Sequence, residues 1–314
     1  MPLRKIIIDT DPGIDDAVAL LLALAAREEL EVLGIVAVAG NLPLEETLDN
    51  ARLVCELARR RDVKVYGGCA KPLLRPLTAA AAIHGTSLAQ RLGIPEPSMP
   101  VEPQHGDDFI IEAVRMTDPG AITLVALGPL TNIAVALRKA PDIAARIGQI
   151  VMMGGAAFEI GNVTPAAEFN IYVDPHAAAI VLDSGLPITM VPLDVTHQVL
   201  STPARLARLR ALPNRCGPTV ASLLADFEAS RAARFGERGL ALHDPCAVAY
   251  LLRPGLFRGR RVNVAVETES ALALGLTAVD WWGVTPRAAN VDFMTEIAAE
   301  PVYQLLNELL STLP

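Results

Sequence analysis

The chain has 314 residues, 52% of them hydrophobic and 20% charged, enough for a large buried core and incompatible with a disordered or fibrous chain. A net charge of −8 excludes non-specific capture of nucleic acid, and the densest basic spots, Arg59-Arg60-Arg61 and Arg258 to Arg261, read as solvated helix and loop ends. The longest apolar run, Ala17 to Ala26, is closed by Arg27-Glu28-Glu29, short of the roughly 20 residues a membrane span needs.

The chain starts Met1-Pro2-Leu3-Arg4-Lys5 and enters a strand-like run at once; without an apolar leader, a cytoplasmic location is expected. Short β-branched runs then alternate with longer Ala/Leu/Arg/Glu segments of helical period. Predicted strands are Lys5 to Asp9, Glu31 to Ala39, Val63 to Tyr66, Ala121 to Ala126, Gln149 to Met153 and Ile188 to Pro192. Predicted helices are Asp15 to Arg27, Leu44 to Arg60, Asp107 to Met116, Asn132 to Lys139, Pro175 to Ser184, Gly217 to Phe235, Pro245 to Leu252 and Val302 to Leu310. This order is that of an α/β protein with a mostly parallel, doubly wound (Rossmann-like) central sheet flanked by helices. After about Leu200 come extra helices and a small β element, Arg261 to Glu267 with Thr277 to Trp281. No linker divides residues 1–314, so one catalytic domain is expected. Cys55, Cys69, Cys216 and Cys246 are scattered without a CxxC pair and read as buried thiols.

The chemistry concentrates after the first strand. Asp9-Thr10-Asp11-Pro12-Gly13-Ile14-Asp15-Asp16 places four carboxylates within eight residues. Two like charges roughly 5 Å apart repel by about 3 kcal/mol at an effective dielectric of ~20, so the cluster needs a cation, a shared proton or wide exposure to water. A divalent ion is the simplest of these. Ligands of open parallel sheets bind at the carboxyl ends of the strands. Those positions carry Gly40-Asn41, Leu127-Gly128-Pro129 and Met153-Gly154-Gly155, besides the acidic cluster.

Two Gly/Pro-rich stretches, Gly67 to Gly106 and Gly154 to Asn170, are longer than ordinary connections. The second holds Asn162, Glu168 and Asn170; on an extended backbone the last two would point the same way and suit hydroxyl groups. Further on, Leu242-His243-Asp244-Pro245 opens a helix, where Asp244 could serve as a ligand or merely as an N-cap.

Together these residues resemble the inosine/uridine-preferring nucleoside hydrolase family. The match begins with the acidic cluster and recurs in order through Gly40-Asn41, Ile83-His84-Gly85, Leu127-Gly128-Pro129-Leu130-Thr131-Asn132, Met153-Gly154-Gly155, Gly161-Asn162, Ala167-Glu168-Phe169-Asn170, Asp174-Pro175 and His243-Asp244-Pro245. The resemblance implies calcium-dependent hydrolysis of the N-glycosidic bond of ribonucleosides. It puts the Ca²⁺ ligands on the side chains of Asp11, Asp16 and Asp244 and the backbone carbonyl of Leu127, with Asp11 also the general base. Ribose falls to Asp15, Asn41, Asn162, Glu168, Asn170 and Asp244, with Met153 and Phe169 against its apolar face. His84 and His243 flank the base, and a histidine is suited to donate a proton near neutral pH. Pyrimidine-preferring relatives tend to carry Tyr before the HDP motif. Asp226-Phe227-Glu228 to Arg234-Phe235-Gly236 offers Phe and no Tyr, which tips the expectation slightly toward purines or broad specificity. A homotetramer or dimer is also implied by the resemblance alone.

Two other readings compete. A haloacid-dehalogenase-like Mg²⁺ phosphatase also follows its first strand with DxD, but wants a late Gly-Asp-x-x-x-Asp segment that this chain lacks. A non-catalytic nucleoside- or ribose-binding protein could use the same Asn, Asp and Glu side chains, but would have no use for the acidic cluster.

Overall fold

The computed structural model describes residues 3–78, 87–235 and 240–314. Its centre is a nine-stranded sheet in the order β3-β2-β1-β4-β5-β6-β9-β7-β8. The first six strands are β1 Arg4–Thr10, β2 Leu30–Ala37, β3 Val65–Gly67, β4 Ile122–Ala126, β5 Ile147–Met153 and β6 Ile188–Val191. They pair in parallel, and β1 lies between β2 and β4. The chain thus winds outward from β1 in one direction and restarts at β4 in the other, which opens a crevice beyond the carboxyl ends of these two strands.

The remaining strands are β7 Phe257–Val266, β8 Thr277–Asp280 and β9 Val291–Ile297. The expected small C-terminal β element does not stand apart. It joins the main sheet through β9, which pairs parallel with β6 and antiparallel with β7.

Alternation along the strands divides the core in two. Ile6 and Ile8 of β1 face one cluster and Ile7 the other, as the period-2 geometry of a strand requires. On the first face lie α1 Ile14–Ala25, α2 Leu44–Leu57, the 20-residue helix Cys216–Phe235, the helix Asp244–Leu252 and the C-terminal helix Ala299–Leu310. On the second lie the helices Gly106–Met116, Thr131–Lys139 and Pro175–Leu182. Every residue of α1 is buried. Its apolar composition all round follows from its place between the sheet and other helices. Among the described residues no helix is long and apolar enough to cross a membrane.

Candidate active site

The acidic cluster sits where β1 ends and α1 begins, at the sheet's switch point. Alternation sends its side chains to different faces. Asp9, in phase with Ile7, meets Asn132 on the second face, whose Nδ2 donates to Asp9 Oδ2 at 2.8 Å. Thr10, in phase with Ile8, donates from Oγ1 to Asp16 Oδ1 at 2.6 Å. Asp16 occupies the third position of α1 and accepts the Gly13 N–H at 3.1 Å, while Asp15 and Asp16 together place negative charge in the helix's first turn.

Asp11 is held by Asn41. Its Oδ2 accepts the backbone N–H of Asn41 at 2.6 Å, and the Asn41 amide bridges Asp11 O and Asp16 Oδ2 at 3.2 and 3.1 Å. A Cβ at Gly40 would stand 2.1 Å from Asp11 Oδ2, and one at Gly128 only 2.4 Å from Oδ1. These two glycines therefore make room for one carboxylate. Asp11 Oδ1 is buried and accepts no hydrogen bond among the described residues, a costly condition for an anion unless something else satisfies it.

The electrostatics agree with that need. Burial pushes the Asp11 carboxyl well above the ordinary range, and the charge of Asp16 adds to the shift. Asp244, 5% exposed, is raised in the same way by burial and then by Asp16, Asp15 and Asp11. Asp16 is raised by burial despite its bonds from Thr10 and Gly13. Asp11, Asp16 and Asp244 enter no ion pair among the described residues.

Other expected residues arrive from distant parts of the chain. Asp15 Oδ2 accepts the backbone N–H groups of His243 and Asp244 at 2.7 and 2.9 Å, capping the helix Asp244–Leu252. Asp244 is thus inside that helix, and the N-cap alternative is overturned. Asn170 Nδ2 donates to the carbonyls of Leu127 at 2.7 Å and Met153 at 3.2 Å, tying the rims of β4 and β5 together. Met153 is buried, and Phe169, half-buried, donates its backbone N–H to Asn162 Oδ1 at 2.9 Å.

One expectation fails in its geometry. Glu168 and Asn170 are not on an extended strand, because a short helix, Phe169–Val173, begins between them. Glu168 is its N-cap, accepting N–H bonds from Asn170, Ile171 and Gly155. Its carboxyl is pushed up to about 7 by burial, against those bonds. His84 lies outside the described residues, as do Gly236 and the side chains of 228–235; Phe227 is buried in the core.

Sequence reasoning passed over several supporting residues. Asn132 was inside a matched motif, yet its tie between Asp9, Ala37 and the Cys69 N–H needs the folded rim to be seen. Thr277 bonds both N–H and C=O of Ala156 at 2.9 and 2.6 Å and carries no local signal. Thr196 and His197, against His243, carry none either.

The donor set suits a hard cation. It offers buried carboxylate oxygens, with Asp11 Oδ1 unpartnered among the described residues, and a backbone carbonyl at the same rim. No group of three or more His, Cys, Asp or Glu side chains among the described residues stands ready-spaced around one point. Here the Asp16 carboxylate is taken up by Thr10, Gly13 and Asn41 instead, and the Asp11 carboxylate by the Asn41 N–H.

Comparison with known proteins agrees with this architecture. Residues 6–304 match the family model described as inosine-uridine preferring nucleoside hydrolase. An uncharacterized protein of Schizosaccharomyces pombe is 51% identical over 99% of this chain and 100% of its own. A pyrimidine-specific ribonucleoside hydrolase RihA of Shewanella sp. (strain MR-7) is 44% identical over 98% of this chain and 96% of its own. The solved structure of a purine-preferring ribonucleoside hydrolase from Gardnerella vaginalis superposes with a TM-score of 0.90 at 33% identity, covering 98% of both chains. The chain belongs to the inosine-uridine preferring nucleoside hydrolase family and is a ribonucleoside hydrolase, an N-glycosidase.

Proposed function

We propose that this protein is a calcium-dependent hydrolase that releases free base and ribose from ribonucleosides, with Asp11 as general base. The observation that carries this reading is the Asp11 carboxylate between Gly40 and Gly128, with its buried Oδ1 unpartnered among the described residues. Asp11, Asp16, Asp244 and the Leu127 carbonyl would hold the cation. Ca²⁺ suits the set better than Mg²⁺ because protein oxygens supply so much of the shell. When bound, the ion supplies charge neutralisation for the carboxylates and acidifies a water molecule.

The chain's own residues account for the rest. Asp11 takes a proton from the attacking water, a role for which Asn41 and the two glycines hold it in place. Cleavage of a ribosyl C–N bond passes through an oxocarbenium-like state, and the carboxylates of Asp15, Glu168 and Asp244 favour positive charge on the sugar. Asn41, Asn162 and Asn170 orient its hydroxyls, while Met153 and Phe169 cover its apolar face. His243, with His84, assists departure of the base. The same negative field repels a 5′-phosphate, so nucleosides are preferred over nucleotides.

The decisive assay incubates inosine, adenosine, uridine and cytidine with the protein, with calcium or with chelator, and reads reducing-sugar release. Sugar released only with calcium supports the reading. Intact nucleoside in every tube, with retained binding, would leave a receptor. Turnover unchanged by chelator would remove the cation from the mechanism. The ratio among the four substrates reports base preference directly.

A further inference from the structure

The four-residue helix Leu193–Thr196, which follows β6, ends against His243. Thr196 is fully buried, and its Oγ1 lies 2.8 Å from His243 Nδ1. That nitrogen is the hydroxyl's sole hydrogen-bond partner among the described residues. The next residue, His197, sets its ring edge-on to the His243 ring, with centroids 5.8 Å apart and planes at 63°. His197 is anchored in turn by Glu159, whose Oε2 is 2.9 Å from its Nδ1.

A buried hydroxyl carries one proton to give, and with no other acceptor among the described residues it gives that proton to Nδ1. A ring nitrogen that accepts a hydrogen bond carries no proton, and the proton of the neutral imidazole then resides on the other nitrogen. We propose that Thr196 is a positioning residue for the hydrolytic reaction: its hydroxyl fixes His243 as the tautomer whose Nε2–H donates to the departing base. This rests on the reading that His243 serves the leaving group. The His243 ring then acts as a fixed hydrogen-bond donor, steadied at its edge by His197.

The test compares Thr196→Val, Thr196→Ser and His243→Ala in the full chain, on inosine and uridine and on p-nitrophenyl riboside, whose leaving group needs no such help. Thr196→Val is expected to lower kcat on the nucleosides by about 10- to 100-fold, within the range of a positioned proton donor, with KM changed less than about threefold. Turnover of p-nitrophenyl riboside stays within about twofold, and Thr196→Ser restores most of the nucleoside rate. Nitrogen-15 spectra of the wild-type protein should show His243 Nδ1 unprotonated and Nε2 protonated, a readout that survives even if Thr196→Val does not fold. A protonated Nδ1 with an unprotonated Nε2, equal losses on both substrate classes, or no rescue by serine would overturn the proposal. His243→Ala separates the two layers. Equal losses with that variant remove His243 from leaving-group assistance altogether, whereas a selective loss there with a silent Thr196→Val removes Thr196 alone.

Discussion

Two groups of buried carboxylates lie on the same rim of the sheet and are handled in opposite ways. Asp107 opens the helix Gly106–Met116, beside the carboxyl ends of β2 and β3. It is 2% exposed, and the chain supplies its partners: the Lys139 ammonium lies 2.9 Å from Oδ2, and His105 Nδ1 contacts Oδ1. Burial works to raise its pKa, but the bonds from Lys139 and His105 outweigh it, and the net shift is downward. At Asp11, Asp16 and Asp244 burial leads and the shifts run upward; neighbouring carboxylates add to it at Asp11 and Asp244, while at Asp16 it outweighs the bonds from Thr10 and Gly13. A fold that pairs one buried acid internally and gives three others no cationic partner among the described residues is what the proposed cation site requires.

The largest effect that could break this contrast is on turnover. Asp11→Asn should lower kcat/KM by about a thousandfold or more, since in the proposed mechanism one side chain would serve as both ligand and base, while leaving the chelated protein at least as stable as wild type. Asp107→Asn should do the reverse, with activity within about twofold but stability lower by about 1–3 kcal/mol, as expected for a buried charge-assisted bond lost. The pair is checked by reducing-sugar release and by thermal melts in chelator. Near-normal turnover in Asp11→Asn, or a large activity loss in Asp107→Asn, would erase the distinction.

The pH dependence of stability should divide the same way. Asp9, by burial, and Glu168 are both pushed up to about 7, and Asp11 and Asp244 also stand high. In each the folded state holds a proton that the unfolded chain has released, so in chelator the unfolding free energy falls as pH rises from about 4 to 7. Asp107 has the opposite sign. Its contribution is complete above the ordinary carboxylate value of 3.8 and is lost as pH falls through its depressed pKa. Calcium should flatten the first slope and leave the acid limb alone. Melting curves from pH 3 to 8, with and without calcium, test both, and a chelated slope of zero between pH 4 and 7 would contradict the crowded-acid picture.

How far the sequence discloses this contrast depends on the range of each interaction. β1, β2, β4, β5 and β6 were legible because buried parallel strands are continuous apolar runs, and the acidic turn was legible because its members are neighbours. β9 was not. Val291–Ile297 carries Asp292, Thr295 and Glu296 on partly exposed positions, so it does not read as an interior strand even though it joins β6 to β7. Glu168 was placed on the wrong backbone because Glu is not among the preferred N-cap residues, and its capping role emerges only with Gly155 beside it. The Thr196–His243 contact spans 47 positions and leaves no periodic trace. Likewise, the local pairing of Asp107 with His105 does not disclose its ammonium partner, because Lys139 arrives from a different helix.

The smallest predicted effect concerns the one expected ligand that has no donor in its side chain. Leu127 is buried at the end of β4, and its carbonyl is held by Asn170. Leu127→Ala removes packing, which costs about 2–5 kcal/mol in a core, but leaves the carbonyl and its amide partner in place. Calcium affinity measured by calorimetry at a temperature well below the melt should therefore change less than about threefold. Asn170→Ala provides the sharper contrast, because it frees the carbonyl to turn while sparing every carboxylate, and should weaken calcium binding more than Leu127→Ala does. If the order is reversed, the oxygen at this rim does not contact the ion, and the three aspartates must hold it with another donor.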